Sequence, residues 1–148
     1  MKKVLVVYYS RTGKTEKMAE SIAEGVRFAG MGAELRKVSD IASDKDLDGF
    51  DGYIFGCPTY HREMTDNFKT FLFMAQKANL AGKVGGAFGS HTHSGESAGA
   101  IFETMEFVFK MTMVTLGPFM LKEQVIDTTD GMRACQAYGK AVGKMLAS

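Results

Sequence analysis

The sequence predicts an α/β protein, a parallel sheet of five strands with helices on both faces. Residues 3–9 (KVLVVYY) and 53–57 (YIFGC) are unbroken runs of aliphatic and aromatic residues, the pattern of strands buried on both sides. Between such runs the apolar residues switch to helical spacing, and strands that alternate with helices are joined by right-handed crossovers into a parallel sheet. At 148 residues, with 45% hydrophobic and 24% charged side chains, the chain is large enough for one domain with its own core, expected to span residues 1–148.

Each element has its own signal. Residues 3–9 form a central strand. Residues 14–29 place Met18, Ala19, Ile22, Ala23 and Val26 on one helical stripe that closes at Gly30 and Gly32. Residues 33–38 make a second strand and 53–57 a third. Phe68, Phe71, Leu72 and Ala75 mark a helix with Thr65 or Asp66 as its cap. Residues 83–89 (KVGGAFG) form a glycine-rich fourth strand, and Ile101, Phe102, Met105, Val108 and Phe109 a long amphipathic helix. A fifth strand lies within residues 113–121, where Gly117-Pro118 argues for a sheet edge. Cys135, Tyr138, Val142 and Met145 define a last helix, capped near Thr129 or Asp130.

Charge and cysteine content remove several function classes. Eighteen basic and 17 acidic residues leave a net charge of +1, which gives no basis for binding nucleic acid or an anionic membrane. Cys57 and Cys135 have no zinc-type spacing and read as buried thiols in a reducing compartment. Lys2-Lys3 followed by an apolar stretch at residues 4–9 resembles a signal peptide, but the stretch is too short and ends in Ser10-Arg11-Thr12. With no stretch long enough to span a bilayer, the expectation is a cytoplasmic protein.

In such sheets ligands bind at the carboxyl ends of strands where the chain order reverses. After the first strand comes Ser10-Arg11-Thr12-Gly13-Lys14-Thr15, three hydroxyls and a glycine opening a helix. The free N–H groups and positive dipole end at that point suit a phosphate, and Gly13 lets it approach; an ordinary N-cap is the alternative. Two rival motifs fail on spacing. A nucleotide P-loop ending in Gly13-Lys14-Thr15 needs a glycine where Tyr8 stands. A phosphatase loop from Cys57 to Arg62 is one residue too short and contains Pro58.

After the third strand, Pro58-Thr59-Tyr60-His61-Arg62 offers an aromatic face with a polar tip, suited to a flat cofactor ring; alone, Tyr60 reads equally as a surface tyrosine in a turn. After the fourth, Gly89-Ser90-His91-Thr92-His93-Ser94-Gly95 supplies small hydrogen-bonding residues. Two histidines one residue apart suggest a metal, but no carboxylate or thiolate partner accompanies them.

The pattern Ser-x-Thr-Gly-x-Thr after an apolar first strand resembles the phosphate loop of flavodoxins, and the resemblance extends over the whole chain. It implies a flavodoxin-like doubly wound sandwich with strand order 2-1-3-4-5, FMN as cofactor, and electron transfer as the activity. It implies that Ser10, Thr12, Gly13, Lys14 and Thr15 bind the FMN phosphate, with Arg11, at a variable position, either adding charge or facing solvent. Pro58, Thr59, Tyr60, His61 and Arg62 would hold one side of the isoalloxazine ring, and Ser90, His91, Thr92, His93 and Gly95 its pyrimidine edge. Residues 56–72 and 80–88 look most like flavodoxin-like quinone reductases and the flavin domains of flavo-diiron proteins.

The chain departs from the family in three places. His61 stands where many flavodoxins carry a glycine whose peptide flips toward the reduced flavin, which implies a less stable one-electron-reduced form. Flavodoxins are usually strongly acidic, whereas this chain is near neutral with Arg62, His61, His91 and His93 in the flavin loops, favouring a raised potential. The fourth-strand loop also lacks the aromatic that many flavodoxins stack on the outer ring face. The leading function is a carrier of low-potential electrons between redox partners. The alternative is an NAD(P)H-dependent reductase of quinones or another small-molecule acceptor. Such reductases often associate to complete their sites, so a homodimer stays open. A receiver-type signalling module needs an aspartate where Cys57 ends the third strand.

Overall fold

In β1 (Lys3–Tyr8) Val4, Val6 and Tyr8 join the core on one face of the sheet, Leu5 and Val7 the core on the other, and all five are buried. Side chains alternate along a strand, so burial of both sets requires a packed layer on each face. The structure is a computed structural model describing residues 1–93 and 95–147. After β1 the chain runs through α1 (Lys14–Phe28), β2 (Gly32–Lys37), β3 (Gly52–Gly56), a hairpin of β4 (Thr59–Tyr60) and β5 (Glu63–Met64), and α2 (Asp66–Ala75). It continues through β6 (Val84–His91), α3 (Glu96–Glu103), β7 (Thr112–Met113), β8 (Phe119–Lys122), α4 (Glu123–Ile126) and α5 (Thr129–Ala147).

The sheet order is β2-β1-β3-β6, with β7 and β8 both parallel to β6 at the edge. The expected order therefore holds, but its fifth strand is in two pieces. β7 pairs with Val84 and Gly85, β8 pairs with residues 88–91, and the chain between them leaves the sheet. Gly117, at φ +80°, and Pro118, which has no N–H to donate, cause the break. The chain crosses from β2 to β3 over β1, which puts the switch point at the carboxyl ends of β1 and β3.

α1 and α5 cover the face of Val4 and Val6, contributing Met18, Ile22 and Val26 from one helix and Tyr138, Val142 and Leu146 from the other. Their backbones nearly touch: a Cβ on Gly139 would stand 1.8 Å from the Ile22 carbonyl oxygen, and one on Gly25 1.9 Å from that of Gln136. The opposite face carries α2 and α3 through Phe68, Phe71, Leu72 and Ile101, with Phe55 and Phe71 packed edge to face at 5.0 Å.

Two expected helices differ in detail. The helix expected through residues 101–109 ends as α3 at Glu103 and continues as a π-helical turn, Thr104–Val108, where the Phe109 N–H donates to the Thr104 carbonyl at 3.1 Å. The wider turn rotates Val108 out of the core to 50% exposure while Met105 and Phe109 stay buried. The cap of α5 falls one residue earlier than expected, because the Thr128 hydroxyl accepts from the Gly131 N–H at 3.0 Å.

Candidate functional site

The loop between β1 and α1 is folded by its own side chains. Ser10 Oγ accepts from the Gly13 N–H at 3.1 Å, and the Gly13 carbonyl accepts the first helical bond from the Lys17 N–H at 3.1 Å. Gly13 caps the helix at φ +92°, a conformation that disfavours any other residue, and nothing lies within 4 Å of where its Cβ would be. The leading N–H groups of α1 have no acceptor within the helix, and the space beside Gly13 is open. Thr12 is exposed beside them, and Ser10 is half-buried.

Two residues of that loop are used elsewhere. Thr15 is buried, its hydroxyl 2.8 Å from that of Ser90, so the pair ties the loop to β6. The Lys14 ammonium pairs with Asp127, which Lys17 also holds at 2.6 Å, and these bonds keep the Asp127 carboxyl well below its usual range. Lys14 therefore offers the loop its backbone N–H, and its side chain is turned to the α4–α5 corner.

After β3, Cys57 and Pro58 are buried, and burial pushes the Cys57 thiol up to about 11. Thr59 Oγ1 donates to Ser97 Oγ at 2.7 Å, Ser97 Oγ donates to the Cys57 carbonyl at 3.1 Å, and the Ser97 N–H donates back to Thr59 at 3.1 Å. This closed network fixes the loop against the start of α3. Tyr60 then pairs with Glu63 across a hairpin that the sequence reading did not expect. At its tip His61 and Arg62 are both left-handed, at φ 51° and 63°, without a glycine or asparagine to signal it. His61, whose Cβ is expected to disfavour the flipped turn of a reduced flavin, thus stands at a left-handed position of this tip. Tyr60 is half-buried, and the Arg11 guanidinium lies 5.7 Å from its ring centroid. Burial raises the Tyr60 phenol, and Arg11 pulls it the other way.

β6 runs two residues beyond its expected end, to His91, so Ser90 lies buried within the strand and not in a loop. His91 is half-buried, and its Nδ1 is buried with no hydrogen-bond partner. Thr92 and His93 are exposed; Ser94 lies outside the described residues. Gly95 caps α3, where a Cβ would come within 2.6 Å of the Met120 sulfur and 3.1 Å of the His91 ring.

All three loops meet at one cleft of about 700 Å³, lined by Arg11, by Thr59, Tyr60, His61 and Arg62, and by Thr92 and His93. That volume is in the range of cofactor pockets. Arg11 also walls a second cavity of about 310 Å³ that reaches Ser10 and Gly13. Tyr9 and Asn67 line this second cavity; sequence reasoning missed both, and neither falls in a motif. Thr12, Lys14, Thr15, Pro58, Ser90, His91 and Gly95 line neither cavity. No cluster of three or more His, Cys, Asp or Glu suited to a metal occurs among the described residues.

A doubly wound parallel sheet with a hydroxyl-rich first loop opening a helix is the architecture of nucleotide-cofactor proteins. The chain matches the flavodoxin family over residues 6–134 and belongs to it. An NAD(P)H dehydrogenase (quinone) of Gluconacetobacter diazotrophicus is 34% identical over 152 residues, covering 84% of this chain and 75% of that protein. A flavodoxin of Clostridium saccharobutylicum is 38% identical over 87 residues, 58% of this chain and 54% of its own length. The solved structure of a flavodoxin from the domain Archaea superposes with a TM-score of 0.91 at 25% identity, covering 99% of each chain. FMN-dependent electron transfer is the chemistry of this family.

Proposed function

We propose that this chain is a single-domain cytoplasmic electron carrier that binds FMN across the three loops at the carboxyl edge of its sheet. The observation that carries the reading is Gly13. Its left-handed backbone leaves the start of α1 open beside a cleft of about 700 Å³ holding Arg11 and Tyr60. A dianionic phosphate next to an open helix N-terminus and a planar ring beside an aromatic side chain fit that pair of features.

The FMN phosphate is held by the hydroxyls of Ser10 and Thr12 and by the backbone N–H groups of Lys14 and Thr15; Gly13 leaves it room to approach, and Arg11 stands beside it facing the cleft. Tyr60 flanks the ring. Pro58, Thr59, His61 and Arg62 shape the backbone beside it, and Ser90, His91, Thr92, His93 and Gly95 form the opposite edge. When bound, FMN supplies the electron storage. The protein supplies placement, and no side chain is needed as acid or base. The internal bonds of Thr15 with Ser90 and of Thr59 with Ser97 support these loops from behind.

A reductase reading is favoured by the relative named NAD(P)H dehydrogenase (quinone), matched over 84% of this chain. In that reading an acceptor reaches the ring from the side of Thr92 and His93, where no aromatic stands. Reconstitution with FMN followed by stepwise anaerobic reduction tests both. A yellow complex reduced in one-electron steps and indifferent to NAD(P)H is the expected result. Direct reduction by NAD(P)H means a reductase, and absence of a yellow complex ends both readings.

A further inference from the structure

We propose that the mouth of the cleft docks an acidic redox protein, the reverse of the polarity expected for a strongly acidic carrier. The proposal rests on FMN occupying the cleft. Arg11, His61, Arg62 and His93 line the cleft from three different loops; all four are exposed, and no carboxylate lines it with them.

Lys14 and Lys17 are held by Asp127, Arg36 by Glu34 and Lys69 by Glu63, whereas neither Arg11 nor Arg62 is paired with a carboxylate among the described residues. Glu63 adjoins Arg62 in sequence, yet its carboxylate accepts from Lys69 at 3.1 Å. Glu123 reaches the Tyr60 phenol only as the weakest of the influences on it. The chain carries +1, and a bound dianionic phosphate brings the loaded molecule to about −1, so there is little overall field to oppose these groups. The field at the mouth acts over a Debye length of about 8 Å at physiological salt.

Two exposed arginines from two loops, flanked by the exposed imidazoles of His61 and His93, suit a wet protein–protein encounter, where complementary charge sets the association rate. A nucleotide phosphate requires convergence, a fork or buried donors on one point, and none of these four side chains is buried. The transfer balances simply. Reoxidation of one fully reduced flavin passes two electrons to two one-electron acceptors and releases its protons to water.

The test uses the full chain loaded with FMN and photoreduced. In stopped flow it is mixed with cytochrome c, a basic acceptor, or with succinylated cytochrome c, the same haem protein with its lysines converted to carboxylates. Both rates are normalised to oxidation by the uncharged acceptor benzoquinone. The succinylated protein is expected to be reduced about tenfold faster at low ionic strength, with the advantage vanishing as salt rises. Arg11→Gln and Arg62→Gln, each at its own saturating FMN, should shrink that salt dependence. A faster reaction with native cytochrome c, or no salt dependence with either, overturns the docking proposal. So does NAD(P)H reduction that depends on Arg11 and Arg62 while the two cytochromes react alike, because the rim then reads a nucleotide. Failure to form the yellow complex is a different result: it removes the proposed function itself.

Discussion

The guanidinium of Arg11 lies 5.7 Å from the centre of the Tyr60 ring, joining the loop after β1 to the hairpin after β3 across the mouth of the cleft. A cation over an aromatic face is a modest attraction, on the order of 0.5–1 kcal/mol at an exposed site. It is weak enough for a cofactor ring to displace, and it keeps Tyr60 oriented until then. Tyr60→Leu retains an apolar side chain and removes the aromatic face. FMN affinity should fall roughly 2- to 10-fold, the size of an aromatic pair contribution. Fluorescence titration with FMN measures it; unchanged affinity would remove Tyr60 from the ring site.

Gly13→Val tests the phosphate cradle. The substitution puts a β-branched residue at φ +92° and fills the open space above the helix start. Forcing an L side chain into this conformation costs about 1–2 kcal/mol. If the cradle holds the phosphate, FMN should lose much more affinity than riboflavin, which carries none. Equal losses for both ligands would point to a general distortion of the loop.

At the hairpin tip the strain should be measurable without any ligand. His61 at φ 51° has the same left-handed cost, partly offset in a glycine variant by the greater freedom of the unfolded chain. His61→Gly is expected to stabilise the protein by about 0.5–1 kcal/mol in urea unfolding. By freeing the turn, it should also raise the share of one-electron-reduced flavin during potentiometric titration. A lower unfolding midpoint would mean that the His61 side chain contributes contacts worth more than the strain.

The two thiols should be silent in the folded protein. Burial pushes Cys57 up to about 11 and Cys135 up to about 12, so both stay protonated at neutral pH. Unfolded thiols ionise near 8.5, so the unfolded chain loses protons first as the solution becomes alkaline. Stability linked to these groups is therefore fully present below that pH and is lost as pH rises toward the folded values. A thiol reagent at pH 8 should label neither cysteine in native protein and both in urea. Fast labelling of Cys57 without denaturant would show that the loop after β3 opens.

Much of the fold was legible in the chain because the features that produce it are local. The runs at residues 3–9 and 53–57 announce strands buried on both faces, and the Met18 to Val26 stripe announces α1. Gly117-Pro118 marked the place where the edge strand divides. The β4–β5 hairpin was not legible, since His61-Arg62 carries none of the residues that normally mark a left-handed turn. Neither was the π-helical turn, which keeps the apolar spacing of a helix through Met105 and displaces only Val108.

The site divides in the same way. A hydroxyl can be seen in a sequence, but its partner cannot. Ser10, Thr15, Thr59 and Ser90 read alike as donors for a cofactor, yet Thr15 and Ser90 bond to each other and Thr59 bonds to Ser97. Lys14 reads as a phosphate residue, but the fold brings Asp127 to its ammonium.

By itself the sequence determined the parallel α/β sheet, the loop that opens α1 and the family, because apolar period, a helix start and a glycine are properties of adjacent residues. Only the tertiary structure decided which hydroxyls remain free, that Arg11 meets Tyr60, and that the arginines of two loops share one cleft with no carboxylate in its described lining. Those are distances between residues far apart in the chain, set when the crossovers pack both faces of the sheet.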